Sequence, residues 1–251
     1  MNDLPGTPGA GFRPDPDTVS GLEPMLELLA ASPASLSSVT DRSRARDVHV
    51  SDSLSGLILP EVADATRAAD IGTGGGFPGV PLAFSLPGCR FTLVDSVGRK
   101  VDFVNEVIAA LGLANAEAVK SRSEELASGD LRESFDLVTA RAVAPLDALA
   151  ELASPLLRED GHLVAWKGER EPEGEAALAR IADRVAMRLD RVEPVRPYSG
   201  SRQRHLYVIA KTGPTPPGLP RRPGMERKRP LSGRTAALTP PDQSQVTDHV
   251  V

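Results

Sequence analysis

The residues from Ala68 to Gly79 read Ala-Ala-Asp-Ile-Gly-Thr-Gly-Gly-Gly-Phe-Pro-Gly, an apolar run with an acid at Asp70, then glycines at Gly72, Gly74, Gly75, Gly76 and Gly79. Glycines placed after a strand let backbone N–H groups approach a ligand with no Cβ in the way, and a following helix turns its positive end to the same point. Pro78 suits the first helical position, where its missing N–H is no loss, so the spacing predicts a helix from about Phe77 to Leu86. The alternative is a glycine-rich turn that only joins two elements. Further polar residues stand where later apolar runs end. Asp95 closes Phe91–Val94, Ser123 and Glu124 follow Ala116–Val119, Arg141 follows Phe135–Ala140, and Lys167 follows His162–Trp166. Open α/β sheets bind ligands at these carboxyl ends of strands, where the strand order reverses.

Each of these residues has a chemistry and a plainer reading. The two oxygens of Asp95 can accept from both ribose hydroxyls of an adenosine, or cap the next helix. Glu124 can reach an adenine edge, or complete a capping box begun at Ser121. Arg141 and Lys167 can hold a base or its phosphate, or pair with acids at the sheet edge. Gly74-x-Gly76-x-x-Gly79 matches a dinucleotide fingerprint, which makes a nicotinamide oxidoreductase the runner-up. Phe77-Pro78 puts bulk at the helix start, where a diphosphate needs free turns. S-adenosylmethionine has no phosphate, so glycines at 72, 74 and 76 would serve close approach to its methionine and ribose.

The elements that must carry these residues alternate regularly from residue 68, which predicts an α/β fold with helices on both faces of a largely parallel sheet. Strands are expected at 68–71, 91–95, 116–119, 135–140 and 162–166, the last entered through an Asp160-Gly161 turn. A hairpin-like pair follows at about 192–197 and 204–210. Helices are expected at 98–111, at 146–157 and after Pro172. The N-terminal stretch 1–20, rich in Pro and Gly, carries too little apolar surface to offset ordering entropy and is expected to be disordered. Residues 21–60 make a small helical extension, 61–212 the main domain, and 213–251 a basic, Pro-rich tail without fixed structure.

With 251 residues, 40% of them hydrophobic and 25% charged, the chain has the composition of an ordinary soluble domain. It has no run of 18 apolar residues and no secretion-signal pattern at its start, so a cytoplasmic protein with no membrane partner is expected. The lone Cys89 excludes a disulfide or a cysteine zinc site within one chain, and no metal is expected. Net charge is −5, but Lys211 to Arg234 holds seven basic residues and one acid, leaving −11 on the remainder. A basic arm on an acidic body suggests phosphate contact.

Taken together, the motifs Asp70–Gly79, Leu93-Val94-Asp95-Ser96, Gly98-Arg99-Lys100-Val101, Ser121–Glu125, Ala140-Arg141-Ala142, Trp166-Lys167-Gly168, Arg204-His205-Leu206 and Pro220–Gly224 resemble the bacterial 16S ribosomal RNA guanine-N7 methyltransferase family, also known as glucose-inhibited division protein B. The resemblance runs from about Leu36 to Leu231. It implies a class I S-adenosylmethionine-dependent methyltransferase, a Rossmann-like, seven-stranded mixed sheet ending in an antiparallel hairpin. The implied reaction methylates N7 of a guanine in the 530 loop of the small ribosomal subunit. The alternative is a non-catalytic ribosome-assembly factor that keeps a cofactor pocket. Cofactor contacts carry over to Gly72, Phe77, Asp95, Ser96, Ser123, Glu124 and Arg141, beside Gly74 and Gly76 of the glycine cluster. RNA contacts are expected at His49, Lys100, Lys167, Arg204, His205, Arg221 and Arg222, on a monomer. Where the family reads Asn-Leu-Thr, then Arg-His, then Asp-Ser, this chain has Ser35-Leu36-Ser37, Val48-His49 and Asp52-Ser53.

Overall fold

A computed structural model of the chain describes residues 12–32, 39, 41–201 and 204–233. Expectations placed on residues 1–11, on Ser35-Leu36-Ser37 and on 234–251 lie outside the described residues. Within the stretch expected to lack order, residues 16–20 are helical. Helix α1 (Pro16–Gly21) starts with Pro16 in its first turn, and Asp15 accepts the Thr18 N–H at 2.8 Å. Phe12 and Val19 pack against the core, apolar contact that composition alone concealed. Helix α2 (Glu23–Ala31) buries Met25, Leu26 and Leu29. A broken helical run follows: α3 (Arg42–Ala45), a π-helical turn (Arg46–Ser51), α4 (Asp52–Leu54), a 3₁₀ turn (Ser55–Ile58) and α5 (Pro60–Ala63).

Strands and helices then alternate as β1 (Arg67–Ile71), α6 (Gly79–Ser85), β2 (Arg90–Asp95), α7 (Gly98–Leu111), β3 (Ala116–Lys120), α8 (Ser123–Leu126), β4 (Phe135–Arg141), α9 (Leu146–Ala153), β5 (Leu157–Lys167), α10 (Pro172–Val185), β6 (Met187–Val195), β7 (Arg204–Lys211) and α11 (Met225–Lys228). The sheet order is β3-β2-β1-β4-β5-β7-β6, with β7 antiparallel to both neighbours. Chain direction across the sheet reverses between β1 and β4. The ligand cleft belongs there. Adjacent residues such as Ala68 and Ala69, Leu137 and Val138, or Leu163 and Val164 enter two different core clusters, as strands covered on both faces require. One cluster holds the N-terminal helices, and the other holds Leu178, Ile181 and Leu219.

Helix α9 ends at Ala153 where residue 157 was expected, β6 starts at Met187 where about 192 was expected, and three further stretches differ. Helix α6 starts at Gly79 with Pro78 as its N-cap, because residues 74–78 are used in turns. Strand β5 starts at Leu157, and Asp160, at φ 62°, makes a bulge within it where a turn was expected, shifting the register against β4. The largest difference is the stretch from 213 to 233, expected as a free tail, which lies along the body as a strap.

The strap is held by buried polar contacts that its basic composition hid. Lys211 is fully buried, and its Nζ donates to the carbonyls of Ser154 at 2.5 Å and Leu157 at 3.0 Å, and to Thr215 Oγ1 at 2.8 Å. Leu219 enters the second core cluster. Arg221 donates to both carboxylate oxygens of Glu151 at 2.6 Å each, and Ser232 donates to Asp147 at 2.5 Å. A bidentate arginine on a buried acid positions backbone as well as neutralising charge. No helix among the described residues is long and apolar enough to cross a membrane.

Candidate active site

Asp70 organises the turn after β1. It is fully buried and accepts the Gly79 N–H at 3.1 Å and the Thr139 hydroxyl at 2.7 Å, so one carboxylate ties β1, the start of α6 and β4 together. Burial pushes its pKa up to about 6, against the lowering effect of those donors. A Cβ at Gly79 would lie 2.4 Å from Leu93 and 2.7 Å from the Asp70 carboxylate, so that position must be glycine. Gly72, at φ +66°, passes equally close beneath Val143.

Beyond this turn the tips of β1 to β4 enclose a cavity of about 330 Å³, at the lower end of the volumes that hold a small ligand. Gly72, Asp95, Ser96, Ser123 and Glu124 line it, as does Lys100, expected at the RNA. Asp95 is 6% exposed, and its Oδ1 accepts the Val97 N–H at 2.9 Å, while Oδ2 accepts the Gly74 N–H at 3.1 Å and Lys100 Nζ at 3.3 Å. Val97 is the N-cap of α7 and has no side-chain cap, so Asp95 faces the cavity and leaves the helix end uncapped. Three of its roughly four acceptor positions are taken. The long Lys100 contact is the one a ligand hydroxyl can most easily replace.

Two glycines and two larger residues expected at the cofactor sit elsewhere. Gly74 meets the site through its N–H on Asp95, and Gly76 donates to the Thr73 carbonyl inside the turn. Neither lines the cavity. Phe77 is buried with its ring stacked on His49, centroids 4.8 Å apart. Arg141 is drawn the same way: its guanidinium lies 5.1 Å above the Phe77 ring and donates to Asp52 at 3.1 Å and to the Val48 carbonyl at 3.2 Å. At the β4 tip the cavity wall is therefore Ala142, Val143 and Ala144.

The expected RNA contacts are mostly committed within the protein. His49 Nδ1 lies 3.4 Å from Arg141, and burial, then the Arg141 charge, holds its pKa at about 4. Lys167 donates to the Ala144 carbonyl at 2.8 Å and pairs with Glu171 at 3.0 Å. Arg204 reaches Asp52 at 3.4 Å and Tyr198 at 3.2 Å, while His205 donates to the Gly168 carbonyl at 2.8 Å. Arg221 holds Glu151, and Arg222 is exposed. The sequence reading missed Arg122, Glu226 and Arg227 on the cavity wall, and Asp52, whose buried carboxylate faces both Arg141 and Arg204. The capping box at α8 lies one residue later than the alternative begun at Ser121: the Arg122 N–H donates to Glu125, and Glu124 accepts the Gly224 N–H of the strap at 2.9 Å.

The strand order, the antiparallel β7 inserted between β5 and β6, the glycine turn and the carboxylate at the β2 tip together define a class I S-adenosylmethionine-dependent methyltransferase. Solved structures agree on the fold: a SAM-dependent methyltransferase from Aquifex aeolicus aligns with a TM-score of 0.53 at 19% identity, over 72% of this chain and 99% of that one. Mitomycin 7-O-methyltransferase aligns at 0.55 with 14% identity, over 78% and 66%. The GidB family, rRNA small subunit methyltransferase G, matches residues 25–206, and the chain belongs to it. Relatives called ribosomal RNA small subunit methyltransferase G are 40% identical in Pelotomaculum thermopropionicum, over 78% of this chain and 82% of that protein, and 44% identical in Deinococcus radiodurans, over 73% of each.

Proposed function

We propose that the protein transfers the methyl group of S-adenosylmethionine to N7 of a guanine in the 530 loop of 16S ribosomal RNA, as a monomer in the cytoplasm, where that substrate is found. The observation that carries this reading is the Asp95 carboxylate on a cavity wall between the glycine turn and Glu124, in a chain of this family. The donor set fits the cofactor: a carboxylate for the ribose hydroxyls, a turn of glycine backbone for the methionine and a second acid beyond the ribose. When bound, the cofactor supplies an electrophilic methyl on a sulfonium.

Guanine N7 is an acceptor with a free lone pair, so its attack needs no general base. Alignment is what the chain must contribute, and a well-oriented approach is worth about 7–11 kcal/mol of the barrier. Asp95 would hold the ribose and so fix the cofactor against the strand tips. Val97 and Val143, 37% and 39% exposed, stand on the cavity wall and offer apolar surface to an incoming base. Arg141 and Lys167 act as positioning residues, since each fixes backbone or side chains next to the β4 tip that carries Val143. The test is mass mapping of small-subunit RNA after incubation with protein and labelled cofactor. N7-methylguanine in the 530 loop is expected. Methyl on another base overturns the assignment, and cofactor binding without transfer would favour a non-catalytic assembly factor.

A further inference from the structure

Across the sheet, the strand tips that line the cavity run Gly72 on β1, Asp95 on β2 and Glu124 after β3. A nucleoside whose ribose meets the central carboxylate, with its amino-acid end on the glycine turn, must point its base toward Glu124. That end of the cavity is closed by the strap. Gly224 donates to Glu124, and Glu226 and Arg227 complete the wall.

Glu226 is unusual among the acids of this wall. It is 7% exposed and lines the cavity, and among the described residues no other residue donates a hydrogen bond to its carboxyl. Its neighbours Asp95, Glu124 and Glu151 all hold donors from elsewhere in the chain. A buried acid held by its own N–H and the Arg227 charge, beside two other acids, carries a desolvation cost that a donor on a ligand can reduce. We propose that Glu226 is a specificity-determining residue of the cofactor pocket, reading the amino-bearing edge of the adenine from the strap. This rests on the methyltransferase reading above.

The chemistry supports the choice of edge. Burial raises the Glu226 pKa, and the nearby Glu124 and Glu151 charges raise it further. The oxygens of its carboxylate are acceptors, and a hydrogen-bond donor on the ligand offsets the surrounding negative charge. Adenine presents such a donor at this edge, its exocyclic amine. Hypoxanthine replaces the amine with a carbonyl and sets an acceptor against the acceptor oxygens of Glu226. Sites built on such pairs reject the mismatched analogue strongly.

The test measures binding to the full chain by calorimetry, with S-adenosylhomocysteine and its 6-keto analogue S-inosylhomocysteine as probes, for the native protein, Glu226→Gln and Glu226→Ala. Native protein is expected to prefer the adenine probe by about tenfold or more. Glu226→Gln, whose amide can donate to the 6-keto oxygen, should lose most of that preference, as should Glu226→Ala. Equal loss for both probes in Glu226→Ala, or an unchanged preference, overturns the proposal, since Glu226 would then only seat the strap. Failure of native protein to bind either probe would instead overturn the methyltransferase reading. Thermal melts of each variant identify an unfolded one, and Glu226→Gln, close to isosteric, keeps the comparison decisive if Glu226→Ala unfolds.

Discussion

Asp95 holds the Gly74 and Val97 N–H groups and Lys100, so its loss loosens the turn and, on the proposed function, removes a cofactor contact as well. Asp95→Ala is expected to cost about 1.5–3 kcal/mol of cofactor affinity; calorimetry that finds native affinity would leave Asp95 with the turn alone. Two other residues set opposed pH dependences. Asp70 has its pKa raised from 3.8 to about 6, so its contribution is fully present below pH 3.8 and is lost as pH rises through 6. The loss is on the order of 3 kcal/mol. His49 is lowered from 6.5 to about 4, so its neutral form is stabilising above pH 6.5, and that contribution is lost as pH falls through 4. Urea midpoints of Asp70→Asn should therefore rise with pH between 4 and 6 more steeply than native ones do. A parallel pair of curves would sink this assignment. Asp95 was legible because it ends an apolar run, and Glu124 because it stands shortly after the next strand. Asp52 was legible only as part of a family motif, since its role depends on Arg141 and Arg204 arriving from distant strands.

At the scale of elements, the parallel strands and α7 follow directly from apolar periodicity, and the tips of those strands held half the site. The strap was illegible by the same rules. The seven basic residues from Lys211 to Arg234 read as an unstructured, phosphate-contacting arm, yet Lys211 and Arg221 are spent on buried partners that no local pattern announces. Truncation after Thr212 is expected to lower stability by about 3 kcal/mol, the burial of Leu219 and the orphaned Glu151 being the main losses, or roughly 6–12 °C of Tm. Cofactor affinity should fall with it. A truncated protein that melts and binds like the full chain would show the strap to be dispensable. The bulge at Asp160 was misread for a similar reason, because Asp-Gly favours a turn locally and only the β4 pairing decides between turn and bulge.

For the whole molecule, the charge asymmetry survives in altered form: an acidic body carries a docked strap whose outward residues include Arg222 and Lys228, both exposed. Replacing both with Gln should flatten the slope of log RNA affinity against log salt by about 0.7–0.9 per lost phosphate contact, with cofactor affinity unchanged. An identical slope would place the RNA on another face. The strap also has a bearing on how the protein comes into being. Residues 213–233 follow every strand of the sheet, so while a ribosome is still making this chain the seven strands can pair before the last wall of the cavity has been synthesised. A nascent chain at that stage has Asp95 in place but neither Gly224 on Glu124 nor Glu226 beside it. Full stabilisation by bound cofactor is therefore expected only of the chain whose strap has emerged, and less of it in a stalled or prematurely ended copy.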